Sequence, residues 1–315
     1  MKSRRPGPGV GAPSMVFMLA CLAASALFAA AAEAQELEPR AYSASPVGAN
    51  FIGLAYAYSS GAILFDPTVP ITDARAHVDG LTLAYGRTFG IGRFQALALV
   101  GMPYAWGSFT GQVVQRDSST SRIGPGDLRA KLAVNLIGPG ALSPAEFARA
   151  PAHHLVVGAS VAVSPPNGQY EPNRLINIGT NRWAFKPELG ISYNWRKQWY
   201  LEGYGGVTFF TANSAFYPGQ TLREQDPLIS VQGHLSYTLA RRSWAALQST
   251  WYGGGATRSN GGAWSARQES TRVGGLVAIG LTASQSIKLS YSYGASIRVG
   301  QNFGTAAAAY QFLWF

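Results

Sequence analysis

Cysteine is all but missing from this 315-residue chain: there is one, Cys21. A disulfide framework and a cysteine-rich metal site are thereby excluded. Charge is scarce too. Asp, Glu, Lys and Arg together make up 13% of residues, against about 25% in ordinary soluble domains. Acid is the rarer sign, 15 residues against 25 basic ones. Histidine occurs four times, as His77, His153, His154 and His234. After residue 34 no apolar run reaches the ~18 residues that a membrane-spanning helix needs.

What is present begins with an export signal. Lys2, Arg4 and Arg5 precede the apolar stretch "MVFMLACLAASALFAAAA" (15–32), and "AEA" (32–34) forms a small-x-small cleavage site. No basic flank follows that would stop transfer, so the segment reads as a cleaved signal peptide, residues 1–34, rather than an anchor. Cleavage removes Cys21, the last thiol. It also leaves 22 basic against 14 acidic residues. An exported basic chain meets membrane surfaces and anionic solutes rather than nucleic acid.

Period-two alternation dominates the rest. In "WAFKPELGISYNW" (183–195) the odd positions are bulky and apolar or Pro, and the even ones small or polar. "DLRAKLAVNLIG" (127–138), "LISVQGHLSYTL" (228–239) and "QSIKLSYSYG" (285–294) alternate likewise. Such segments are strands with one apolar and one polar face. Twelve of them are expected, near 50–59, 77–88, 93–106, 127–137, 153–164, 183–195, 198–211, 228–239, 243–253, 271–282, 286–298 and 303–315.

Links between the segments are short and long in turn. "FGIG" and "ARR" are short, whereas 107–126, 165–181, 212–227 and 254–270 are long and rich in turn-forming residues. Short turns on one side and long loops on the other describe an outer-membrane barrel. The short outer link at 300–302 departs from this rule. So does the long periplasmic link 138–152, where Ser143, Pro144 and Glu146 predict a capped helix lying on the barrel floor. Aromatics near segment ends, Trp183, Trp195, Trp199, Tyr200, Trp244, Trp251, Trp314 and Phe315, predict interfacial girdles. A secreted β-sandwich also alternates, but its long connections would not fall on one side. The expectation is an all-β, antiparallel up-and-down transmembrane barrel of about twelve strands over 51–315, preceded by a periplasmic segment, 35–50.

"EPRAYSASPVGANF" (38–51), "GDLRAKLAVNLIGPGALSPAEFA" (126–148), "NGQYEPNRLINIGTNRWAFKPELG" (167–190) and "KLSYSYGASIRVGQNFGT" (288–305) resemble an outer-membrane family called "putative meta-pathway of phenol degradation", many of whose members are labelled transporter. The resemblance implies a twelve-stranded barrel related to the membrane domain of a functional-amyloid secretion channel. Hydrophobic or aromatic solutes follow from this family context alone. The ending "YQFLWF" departs from the usual pattern: Phe315 is out of phase with Tyr310, Phe312 and Trp314.

By strand parity the bore receives Asp127, Arg129, Lys131, Lys186, Glu188, Glu202, His234, Arg272, Lys288 and Arg298. Charges in such a bore pair into networks that stiffen the wall, and leftover positive charge favours anions. A twelve-stranded bore is narrow, so loops or residues 35–50 can occlude it, with charges of "ELEPR" (36–40) pairing inside. No nucleophile elbow is present at "GAS" (158–160), and His234 beside Ser236 fits a polar ladder better than a base–nucleophile pair. His153 and His154 lack a third metal ligand. The sequence therefore predicts no catalytic, metal or cofactor site. Its partners are the lipid bilayer, lipopolysaccharide, the outer-membrane assembly machinery and small-molecule solutes. The expected function is passive passage of small molecules, with a secretion or structural barrel as the alternative and a lipid-acting barrel enzyme behind it.

Overall fold

Strands with unlike faces, closed edge to edge, leave no backbone group unpaired in hydrocarbon. The computed structural model describes residues 38–64, 71–113, 116–150, 154–196, 198–240, 242–298 and 300–315. The expected signal peptide and His153 lie outside them. In chain order the strands are β1 (Asn50–Leu64), β2 (Ile71–Ile91), β3 (Phe94–Val113), β4 (Arg116–Pro125), β5 (Arg129–Ile137), β6 (Leu155–Ser164), β7 (Ala184–Trp195) and β8 (Trp199–Phe210). They continue with β9 (Asn213–Phe216), β10 (Thr221–Gln225), β11 (Leu228–Ala240), β12 (Ser243–Gly254), β13 (Thr257–Ser259), β14 (Gln268–Gly280), β15 (Gln285–Ile297) and β16 (Gly300–Trp314).

All wall pairings are antiparallel. The order runs β2-β1-β16-β15-β14-β12-β11-β8-β7-β6-β5-β3, and β3 pairs back onto β2, closing the barrel. β4 and β5 share one wall position: β4 pairs with the loop-end half of β3 and β5 with its turn-end half. Twelve positions result. The last strand seats on the first without a register break, from Asn50 opposite Trp314 to Leu64 opposite Gly300. Phe315 lies past the end of β16, which is why its phase does not matter.

Which face meets which solvent is clear on β7. Leu189 is 63% exposed and Trp195 49%, whereas Lys186 and Glu188 are each 7% exposed. Leu201, Val231, Leu247, Leu289 and Tyr291 are also exposed on the outside of their strands. Each such side chain is worth about 1.5–3 kcal/mol on leaving water, and a continuous belt of them is insoluble unless lipid covers it. The chain is an outer-membrane type β-barrel. Among the described residues no helix could cross a membrane.

β2 and β3 are 21 and 20 residues long, about 70 Å of extended chain at ~3.3 Å per residue. They outrun an apolar band about 25 Å tall, and the polarity of their faces inverts accordingly. His77 and Asp79 turn outward, bonding Tyr58 and Tyr56, while Ala74, Ala76, Val78 and Phe109 turn inward with Ile63 and Phe303. β9, β10 and β13 form a separate small sheet beyond the loop end.

The link after β5 contains one helix, α1 (Pro144–Arg149), built on the expected signals. Ser143 caps it, the Glu146 side chain returns to the Ser143 N–H, and Pro144 opens it. None of its residues is buried. The linker before it makes the floor contacts instead: Ala141 N–H donates to the Arg93 carbonyl, and Val47 N–H to the Leu142 carbonyl.

Candidate functional site

Residues 38–49, part of the periplasmic segment expected to be able to occlude the bore, run inside its turn end. Pro39, Pro46 and left-handed turns at Arg40 (φ 66°) and Gly48 (φ 85°) keep them from becoming a further strand. Their partners come from all round the wall. Glu38 pairs with Lys288 on β15, which holds its carboxyl below the ordinary carboxylate range. Arg40 N–H donates to Glu202 Oε2 at 2.8 Å on β8, and its guanidinium to Thr238 Oγ1 at 2.9 Å on β11. Ser45 and Gln95 on β3 exchange two bonds, and Ala49 N–H reaches Thr88 Oγ1 on β2 at 3.0 Å.

Tyr42 anchors the crossing and is 2% exposed. Its ring fills a slot between Gly158 and Gly190, which face each other across β6 and β7. A Cβ on either glycine would collide with the ring. The Tyr42 hydroxyl lies 2.9 Å from Ser160 Oγ and donates to Glu188 Oε1 at 3.0 Å. Tyr204 meets the ring edge-on at 5.2 Å.

Tyr200 and Trp244, two members of the expected girdle, point inward. The Arg40 guanidinium lies 4.3 Å from the Tyr200 ring centre and 4.6 Å from that of Trp244. Parity explains both: Leu201 and Leu247 take the outward positions on those strands, and the cation gives the inward rings a partner.

The ten sequence-predicted bore residues fall into distinct roles. Glu188 accepts from Lys131 and Lys186, each at 3.2 Å, and this triad faces the interior on the loop side of the Tyr42 ring. Glu202 and Lys288 hold the crossing segment. His234 is 2% exposed and lies against the Tyr204 ring. Arg272 is buried and donates to Ser292 Oγ and the Phe303 carbonyl. Arg129 is half-buried on β5. Asp127 sits at the break between β4 and β5, where it accepts from Gly168 N–H at 2.7 Å, Thr180 N–H at 2.8 Å and Thr180 Oγ1 at 2.6 Å. It pins the 165–183 loop. Arg298 lies beyond the end of β15 with its side chain 71% exposed, 3.8 Å from Glu269; parity has no meaning there, because the strand has ended.

Above the interior the loops close in. Arg223 on β10 is 4% exposed and lies over the Phe216 ring at 4.7 Å. Burial and the nearby Arg182 push its guanidinium below the ordinary range. On the rim, Glu224 binds Arg258 through two bonds of 2.7 and 3.0 Å.

Among the described residues neither His234 nitrogen bonds Ser236, His154 is exposed and meets the Asn194 carbonyl at 3.2 Å, and no cluster of three metal-ligating side chains forms. Sequence reasoning missed Tyr42, Gly158 and Gly190. One signal was available: two interior-face glycines at matching heights on neighbouring strands, with an aromatic residue waiting before the first strand.

Residues 65–312 match the family model described as "Putative MetA-pathway of phenol degradation". The chain belongs to this family. Its fold is similar to that of an outer membrane channel from Pseudomonas putida F1, at 19% identity and a TM-score of 0.74, covering 88% of this chain and all of the other (100%). It is also similar to the β domain of the Bordetella autotransporter BrkA, at 12% identity and a TM-score of 0.53, covering 84% of this chain and 99% of that one. At these identities the likeness is one of fold. No curated protein matches the chain.

Proposed function

We propose that this family member is a passive outer-membrane channel for small molecules, held shut at its turn end by residues 38–49. The observation that carries the reading is the contrast between a lipid-facing belt and an interior lined with Lys131, Lys186, Glu188, Gln232 and Arg272. A barrel needed only as a membrane anchor has no use for ionised groups inside, where each costs desolvation. Lys131 and Lys186 both pair with the Glu188 carboxylate, and among the described residues Arg272 bonds the neutral Ser292 Oγ and Phe303 carbonyl. The resulting positive surplus favours anions mildly. The family description mentions phenol degradation, and the apolar interior cluster around Phe109 and Phe303 suits a hydrophobic or aromatic solute body. No chemical step is assigned to the barrel.

Planar-bilayer recording of the purified protein in a salt gradient tests this. The expected result is discrete conductance with a reversal potential on the anion side. Cation preference removes the charge argument, and silence after removal of residues 38–46 removes the channel.

A further inference from the structure

Polar atoms buried without a protein partner are rare in folded chains, and each calls for an explanation. Among the described residues there are nine on side chains, and their placement is not scattered. Eight belong to the interior faces of three adjacent strands, β11, β12 and β14. The ninth is Arg40 Nε, on the residue whose guanidinium reaches β11 at Thr238.

Ser236, His234, Gln232 and Ser230 follow one another up the interior face of β11, none more than 3% exposed. Gln248 and Thr250 stand beside them on β12, opposite His234 and Gln232 respectively. Arg272 continues the row on β14, opposite Thr250. From Ser236 to Ser230 the seam covers about 20 Å of strand, a large part of the membrane's thickness. Elsewhere the interior is served differently. β5 and β7 carry the paired Lys131–Glu188–Lys186 triad, and β1, β2, β3 and β16 carry the apolar cluster.

The chemistry of the rungs defines what they fit. Gln232 and Gln248 offer carbonyl oxygens, which accept only. Ser230, Ser236 and Thr250 offer hydroxyls, which donate and accept, and a neutral His234 offers one nitrogen of each kind. A carboxylate finds no donor at the glutamine oxygens. A cation meets the Arg272 guanidinium in the row itself. A hydroxyl group both donates and accepts, so it can pair with every rung in succession.

We propose that this seam is a binding track along which small neutral solutes bearing hydroxyl groups move through the barrel. The inference rests on the channel reading and adds a substrate class to it. Ions passing the same bore respond to net charge; hydroxylated solutes respond to the rungs.

Liposome swelling tests it with two membrane-impermeant probes of similar size: erythritol, which carries hydroxyls, and glycine betaine, which carries none. The barrel lacking residues 38–46 serves as the common background. Erythritol is expected to enter faster than betaine, and the isosteric triple variant Gln232→Met, Gln248→Met, Thr250→Val to lower the erythritol-to-betaine ratio by about fivefold or more. Should the triple variant fail to fold, judged by heat-dependent gel mobility, Thr250→Val alone is read for a smaller fall in the ratio. A ratio unchanged by substitution overturns the track. Barrels that conduct chloride yet admit erythritol no faster than betaine also overturn it and leave the channel standing. Barrels that pass neither ions nor solutes overturn both.

Discussion

The two ends of the barrel are built over in unlike ways. At the turn end a single peptide, residues 38–49, crosses the bore and takes partners from β2, β3, β8, β11 and β15. At the loop end, a cover is woven from several connections: the 165–183 loop pinned by Asp127, the small β9–β10–β13 sheet, and an apolar cluster between β1, β2, β3 and β16. The first closure is an appendage, because none of its residues belongs to a wall strand. The second is made of the wall's own extensions. Removing the floor leaves twelve wall positions intact, whereas disturbing the roof disturbs the ends of strands.

The largest effect that separates them is deletion of residues 38–46. Conductance should rise on the order of tenfold, since a spanning obstruction is lost, while heat-dependent gel mobility stays that of a folded barrel. Equal loss of folding would mean that the floor is structural after all. Asp127→Ala is the matching blow to the roof. It removes three hydrogen bonds to a charged acceptor, each worth about 1.5–3 kcal/mol and not additive. Limited proteolysis should then cut within 165–183, with the turn end still shut. Gly190→Val is subtler: it overfills the Tyr42 slot at about 1–3 kcal/mol, so the channel should open intermittently rather than permanently, visible as new long openings in single-channel records.

A pH titration sharpens the same contrast. Glu38 has its folded pKa lowered by Lys288, so its contribution is complete above the ordinary carboxylate range and is lost as pH falls through the depressed value. Closure should therefore be flat across neutral pH and weaken only in acid below the ordinary carboxylate range. A floor that loosens between pH 6 and 8 contradicts that sign. The smallest effect belongs to Ser143→Ala, which removes the cap of the exposed helix α1 at about 1 kcal/mol of local stability. Amide exchange in 144–149 should quicken, and conductance should not change.

Where lipid lies against the wall, the fold was readable. A strand between hydrocarbon and a polar bore must alternate, and a one-residue slip would present Lys186 to lipid at a cost of about 2–4 kcal/mol. That penalty writes β7, β11 and β15 into the sequence. Above the membrane both faces meet water or other loops, the penalty vanishes, and so does the pattern. β4, "RDSSTSRIGP", is polar on both sides and was expected as loop; β9, β10 and β13 were hidden likewise. The same boundary explains Arg298 and Asp127. They stand where strands end or break, so one reaches the rim and the other fastens a loop. The crossing segment has no periodicity at all. Charges at 36–40 suggested pairing inside the bore, yet the Tyr42 slot exists only once β6 and β7 bring Gly158 and Gly190 together.

Trp244, turned toward Arg40 instead of the lipid, has an optical consequence. An indole under a guanidinium emits differently from one left in a wet passage, so the protein carries a built-in lamp beside its own latch. Comparing emission from the intact barrel with that of a Trp244→Phe version isolates this one ring among eight tryptophans. The movement of the amino-terminal peptide can then be followed in real time without attaching any dye.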